Sequence, residues 1–172
     1  RQIVNRLMQL IKQPVRPAIR AERPLEVDAD LRPEGKQGAM VRSLDSYRAY
    51  YERWAETWEF QALLRARPIA GSEDLGRAFV ELIDPYRYPR EFTVEQVQQV
   101  RRMKARVEHE RMPHGADRTR QLKLGRGGLS DVEWLVQLIQ LQHAHKVEGL
   151  RTTSTLEALD AAVQAKLVAA ED

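Results

Sequence analysis

Apolar residues recur at steps of three and four from Ser43 onwards: Leu44, Tyr47, Tyr51, Trp54, Trp58 and Ala62. Side chains at that spacing share one face of a helix, so this run commits the middle of the chain to helical packing. The helix it predicts is stopped by Pro68 and Gly71. A shorter helix follows from Glu73 to Ile83, closed by Pro85 and Pro89. Thr93 and Gln96 form a capping pair that opens a highly charged helix through Arg111, with only a thin apolar seam. Residues 1–13 read as an amphipathic helix, and Thr153 or Ser154 starts a last helix through Leu167. Between them, Val132 to Leu141 is apolar on most sides, which predicts a central helix, and Ser130 with Glu133 reads as its S-x-x-E capping box.

One stretch breaks the helical pattern. In residues 25–32, Leu25, Val27, Ala29 and Leu31 alternate with Glu26, Asp28, Asp30 and Arg32. Strict alternation predicts a strand, paired at most with residues 39–42 after the turn at Pro33 to Gly38. The expected fold class is therefore mainly α with a small β element, α+β.

Composition narrows the chemistry. No cysteine is present, which removes disulfides, zinc–thiolate sites and thiol nucleophiles and fits a cytoplasmic location. No run approaches 18 apolar residues, so no membrane partner is expected. The net charge of +3 is too small to imply nucleic acid.

Two stretches remain as candidate sites. The acidic face of Asp28 and Asp30 suits Mg²⁺, a hard cation that prefers carboxylate oxygen. It equally suits the wet face of an edge strand. The G-R-G-G stretch, with Lys123, Gly125, Arg126, Gly127 and Gly128 ahead of a helix, suits an anion held by backbone N–H groups and the helix dipole. A tight turn would look the same. His143 and His145 stand two apart on a helix and cannot share a metal, and no Ser–His–Asp arrangement is readable.

Three long motifs change the weighing: V-D-x-x-L-R-P-E-G at 27–35, Y-Y-x-R-W-x-x-T-W-E-x-Q-A-L-L-R-A-R-P at 50–68, and L-K-L-G-x-G-G-L-x-D-V-E-W at 122–134. Together they resemble the glutamine synthetase adenylyltransferases, in the right order and over nearly the whole chain. The resemblance implies two nucleotidyltransferase halves of polymerase-beta-like fold, each followed by a helical domain. One half transfers AMP from Mg-ATP to a tyrosine of glutamine synthetase, and the other removes it by phosphorolysis. L-G-R-G-G-L-S-D-V-E-W and R-T-T-S-T-L resemble the C-terminal, adenylylating half more closely.

On that resemblance, catalysis needs a G-S and D-x-D pair on an earlier strand and a third carboxylate, which is Asp28. Relatives often carry a basic or neutral residue at the position of Asp30, so the resemblance makes it a wet neighbour of Asp28, while the alternation keeps it on the same acidic face as a metal candidate. No G-S precedes Asp28 here, so the expectation is a fragment that starts after two of three catalytic carboxylates and transfers nothing alone. Residues 1–71 would be a partial nucleotidyltransferase domain and 72–172 the start of the helical domain. The implied cofactor is Mg²⁺, with ATP as substrate. Glutamine synthetase is the implied partner, with a PII-type signalling protein as a further one. The alternatives are the deadenylylating, phosphorolytic half of the same enzyme and a non-catalytic helical interaction module.

Overall fold

The computed structural model describes residues 2–13, 26–117 and 119–169. The described residues hold seven α-helices and no strand: α1 (Gln2–Ile11), α2 (Leu44–Arg53), α3 (Thr57–Leu63), α4 (Glu73–Arg87), α5 (Val94–Arg111), α6 (Leu129–His143) and α7 (Thr155–Gln164). Short 3-10 turns occupy Gly35–Gln37 and Glu148–Leu150. The chain divides into two compact units, Arg1–Ala55 and Glu56–Asp172. No described helix is long and apolar enough to cross a membrane.

In the first unit the expected strand does not form. Residues 26–30 are irregular, and 39–42 do not pair with them; Leu25 lies outside the described residues, as do Pro14, Pro17 and Pro24. A strand needs a ladder partner for its N–H and C=O groups, and here those groups are spent locally. The Asp28 carboxylate accepts the Asp30 N–H at 2.8 Å. The Arg32 guanidinium donates to the carbonyls of Ala29, Lys36 (2.9 Å) and Gly38 (3.0 Å), winding the segment into a loop. After it, the Ser43 hydroxyl accepts the Ser46 N–H and starts α2. Tyr51 is the buried side chain of that helix, stacked on Tyr47 and met edge-on by Tyr50.

The single helix expected from Ser43 to Ala62 is two helices. Glu56 is extended and makes a reciprocal capping box with Glu59, so the chain restarts as α3 instead of continuing α2. Trp54, counted by spacing among the core anchors, sits at this break and is 73% exposed.

The second unit is built around α6. α3 packs on α4, α5 and α6, while α6 also packs on α5 and α7. Leu64, Tyr88, Val100, Val136, Ile139, Leu141, Leu150 and Ala158 form the shared core. Gln140, buried among them, donates to the carbonyls of Leu150 and Thr152 at 2.8 Å, satisfying two groups that burial would otherwise leave costly. Tyr88 lies between two guanidinium groups, with Arg87 at 4.9 Å and Arg151 at 5.5 Å from its ring centre. Arg65 reaches from the end of α3 to the Thr153 carbonyl and the Thr155 hydroxyl at the start of α7.

Several boundaries move for local reasons. α4 runs through Pro85 to Arg87, so the helix absorbs the loss of the one intrahelical donor that Pro85 lacks. α5 has the expected Thr93–Gln96 box, with both reciprocal bonds made. α6 begins at Leu129 with Gly128 as its N-cap, so the Ser130–Glu133 box is not formed. Its inner face buries Val136, Ile139 and Leu141, whereas Leu129 and Leu135 are exposed. α7 ends at Gln164, where Lys166 turns left-handed (φ 57°) and the Leu167 N–H returns to the Ala162 carbonyl.

Candidate functional site

Each unit carries one cleft that holds expected site residues. In the first unit an open cleft of about 850 Å³ is lined by Met8, Lys12, Asp28, Asp30, Arg32 and Lys36, among others. Asp28 is exposed and uses one carboxylate oxygen on the Asp30 N–H. Asp30 faces Lys36 at 3.4 Å, and both side chains are largely exposed, so this ion pair is weak and exchangeable. Glu34, at φ 63°, is held by Arg42 at 2.7 Å, whose guanidinium also lies over the Tyr50 ring.

The donor set fits Mg²⁺: the carboxylates of Asp28 and Asp30, two residues apart, line one cleft together with that of Glu26. It does not complete a site. Among the described residues no three His, Cys, Asp or Glu side chains come together as a metal-holding group. Further ligands would have to be phosphate oxygens, water or carboxylates from other chain segments.

In the second unit a cleft of about 460 Å³ lies between α5 and the glycine turn, lined by Lys104, Glu108, His109, Leu124, Gly125, Arg126 and Asp131, among others. The turn is ordered by the protein itself. The Leu129 and Ser130 N–H groups donate to the carbonyls of Leu122 and Lys123, and the Gly128 N–H to that of Gly125. The Gly127 N–H donates to the Asp131 carboxylate at 2.7 Å. These amides are therefore engaged, and attraction for an anion rests on the exposed side chains of Lys123 and Arg126. Of these two, Arg126 lines the cleft and Lys123 does not.

Asp131 joins the turn to α5. Its second oxygen meets the Lys104 ammonium at 2.5 Å, and Lys104 also pairs with Glu108. The Lys104 hydrogen bond, then the Gly127 N–H, hold the Asp131 carboxyl below its ordinary value of 3.8. Burial pushes Lys104 down, but its bonds to Asp131 and Glu108 outweigh that and leave it above 10.5. A depressed carboxylate stabilises the fold above its unfolded pKa and loses this as pH falls through the folded one; a raised lysine loses its share as pH rises through its folded value. The stability difference between wild type and Asp131→Asn should thus be flat from about pH 5 to about pH 9 and roughly 1 kcal/mol. It should shrink below 3.8 and above 10.5. Denaturant unfolding across pH measures this, and a difference that grew on acidification would contradict it.

Arg32 and the Lys104–Asp131 clasp are absent from the sequence-based site residues. Only Lys104–Glu108 had a visible signal, as an i,i+4 pair on a helix.

Comparison with known proteins bears on both units. The family model for glutamate-ammonia ligase adenylyltransferase matches residues 1–82, and that for PII-uridylyltransferase matches residues 101–172. A bifunctional glutamine synthetase adenylyltransferase/adenylyl-removing enzyme of Mycobacterium marinum is 59% identical over 150 residues, 87% of this chain and 15% of the relative. Proteins of the same name from Streptomyces avermitilis and Streptomyces coelicolor are 56% and 54% identical over 99% and 98% of this chain, which is 17% and 16% of their own lengths. The chain thus spans about a sixth of the length of the curated relatives it matches. By these matches, and by the motifs they cover, the chain belongs to the glutamine synthetase adenylyltransferase family.

Proposed function

We propose that this chain works within a nucleotidyltransferase of polymerase-beta-like fold that transfers AMP from Mg-ATP to a tyrosine of glutamine synthetase. The observation that carries this reading is the adenylyltransferase family match over residues 1–82, a range that contains Asp28 and all the lining residues of its cleft. Asp28 and Asp30 would hold Mg²⁺ together with carboxylates from outside this chain, and Mg²⁺ would neutralise phosphate charge in the transfer. Lys12 and Lys36 line the same cleft and would attract the triphosphate. Residues 1–71 would then belong to the nucleotidyltransferase domain and 72–172 to the helical domain. Lys123 and Arg126 would offer charge to an anionic group at the Gly125–Gly128 turn. The R-T-T-S-T-L and G-R-G-G-L-S-D wording favours the adenylylating half over the adenylyl-removing one.

A second reading has its own support. The match of residues 101–172 to the PII-uridylyltransferase model favours a helical segment that meets a PII-type signalling protein.

Transfer of labelled AMP to glutamine synthetase tests the first reading. A full-length enzyme carrying this stretch should label its substrate tyrosine, and the isolated 172 residues should not, since two carboxylates cannot align ATP and a phenol oxygen alone. Labelling by the isolated chain at the full-length rate would overturn the assignment of further ligands to other segments.

A further inference from the structure

We propose that Arg32 is the positioning residue of this cleft: its guanidinium sets the loop that aims Asp28 and Asp30 at a shared cation. The inference rests on the metal reading given above and adds a residue to it. Three of the five guanidinium N–H groups are directed at three separate carbonyls, with Nε on Gly38, one terminal nitrogen on Ala29 and the other on Lys36. Ala29 is the residue between the two aspartates, so holding its carbonyl fixes the backbone from which both carboxylates project. Lys36 lies within the 3-10 turn and Gly38 caps its end, so the same side chain closes the loop across itself. The carboxylates themselves are exposed, and among the described residues they are tied by the Asp28–Asp30 bond and the weak Lys36 pair. Arg32 is therefore the main restraint on where the two point.

A lysine in its place keeps the charge but has a single nitrogen, which cannot span three carbonyls. In solution, Mn²⁺ added to the 172-residue chain should broaden the amide resonances of Asp28 to Asp30 in preference to those of Asp74 and Glu95, exposed carboxylates of the second unit. Arg32→Lys and Arg32→Gln should each abolish that preference, with at least tenfold more Mn²⁺ needed for equal broadening at Asp28. Resonances of α2 and of the second unit should stay in place. If both variants broaden as wild type does, the positioning role is wrong while the metal site stands. If wild type shows no preference for Asp28 to Asp30, the two carboxylates do not gather a cation by themselves and this inference fails, while the metal reading, which draws further ligands from other segments, stands or falls with the Asp28→Asn variant of the full-length enzyme. If both variants lose the α2 resonances as well, Arg32 is a folding residue and the positioning role is overturned.

Discussion

Asp28→Asn, introduced into a full-length enzyme that carries this stretch, is expected to lower AMP transfer about a thousandfold, on the order of 4 kcal/mol of transition-state stabilisation. The change removes a negative charge and a metal-ligating oxygen. It leaves a side-chain carbonyl that can still accept the Asp30 N–H, so the loop keeps the bond seen at 2.8 Å. Folding should therefore survive while chemistry does not. Asp30→Asn should cost less, because the Asp30 carboxylate is already shared with Lys36. Steady-state transfer rates, with a circular dichroism spectrum of each variant, check the pair. Wild-type turnover by both at saturating Mg²⁺ would remove the metal role from this cleft.

The second large effect belongs to stability. A Cβ on Gly128 would lie 2.7 Å from the Leu122 carbonyl oxygen, 2.8 Å from that of Gly125 and 3.1 Å from that of Lys123. All three are backbone atoms held by hydrogen bonds of the same turn, so none can yield cheaply. Gly128→Ala should destabilise the second unit by roughly 2–4 kcal/mol. At Gly127 the obstacle is different: φ is +74° and nothing lies within 4 Å of the added carbon. Gly127→Ala should then cost only the left-handed penalty, about 1–2 kcal/mol. Denaturant midpoints of the two variants give the order directly, and equal losses would show that the close carbonyls do not set the constraint.

The elements that were legible in the sequence are those whose cause is local. The α5 start could be read because Thr93 and Gln96 make both bonds of the box within four residues. The α1 helix followed from spacing and the α7 start from Ser154, although no residue of α1 is buried. The break before α3 depends on Glu56, a side chain rarely used as an N-cap, so spacing carried the expected helix straight through it. The 25–32 alternation was real but insufficient: alternation specifies two faces, and a strand also needs a partner. Arg32 supplied the competing contacts, and nothing in its neighbours announces that its side chain folds back on Ala29, Lys36 and Gly38. The glycine turn was visible as a turn, whereas the engagement of its amides by Leu122, Lys123 and Asp131 was not. Family identity came from three motifs, and Asp28 could be singled out only through them.

Affinity cleavage tests the central claim most directly. With Fe²⁺ in place of Mg²⁺, ATP present, and ascorbate with peroxide added, a full-length enzyme carrying this stretch should be cut at the backbone next to its bound metal. The account predicts a cut between residues 26 and 32, suppressed by excess Mg²⁺ and absent from the Asp28→Asn variant. Cleavage confined to other segments, with residues 26–32 intact, would contradict it.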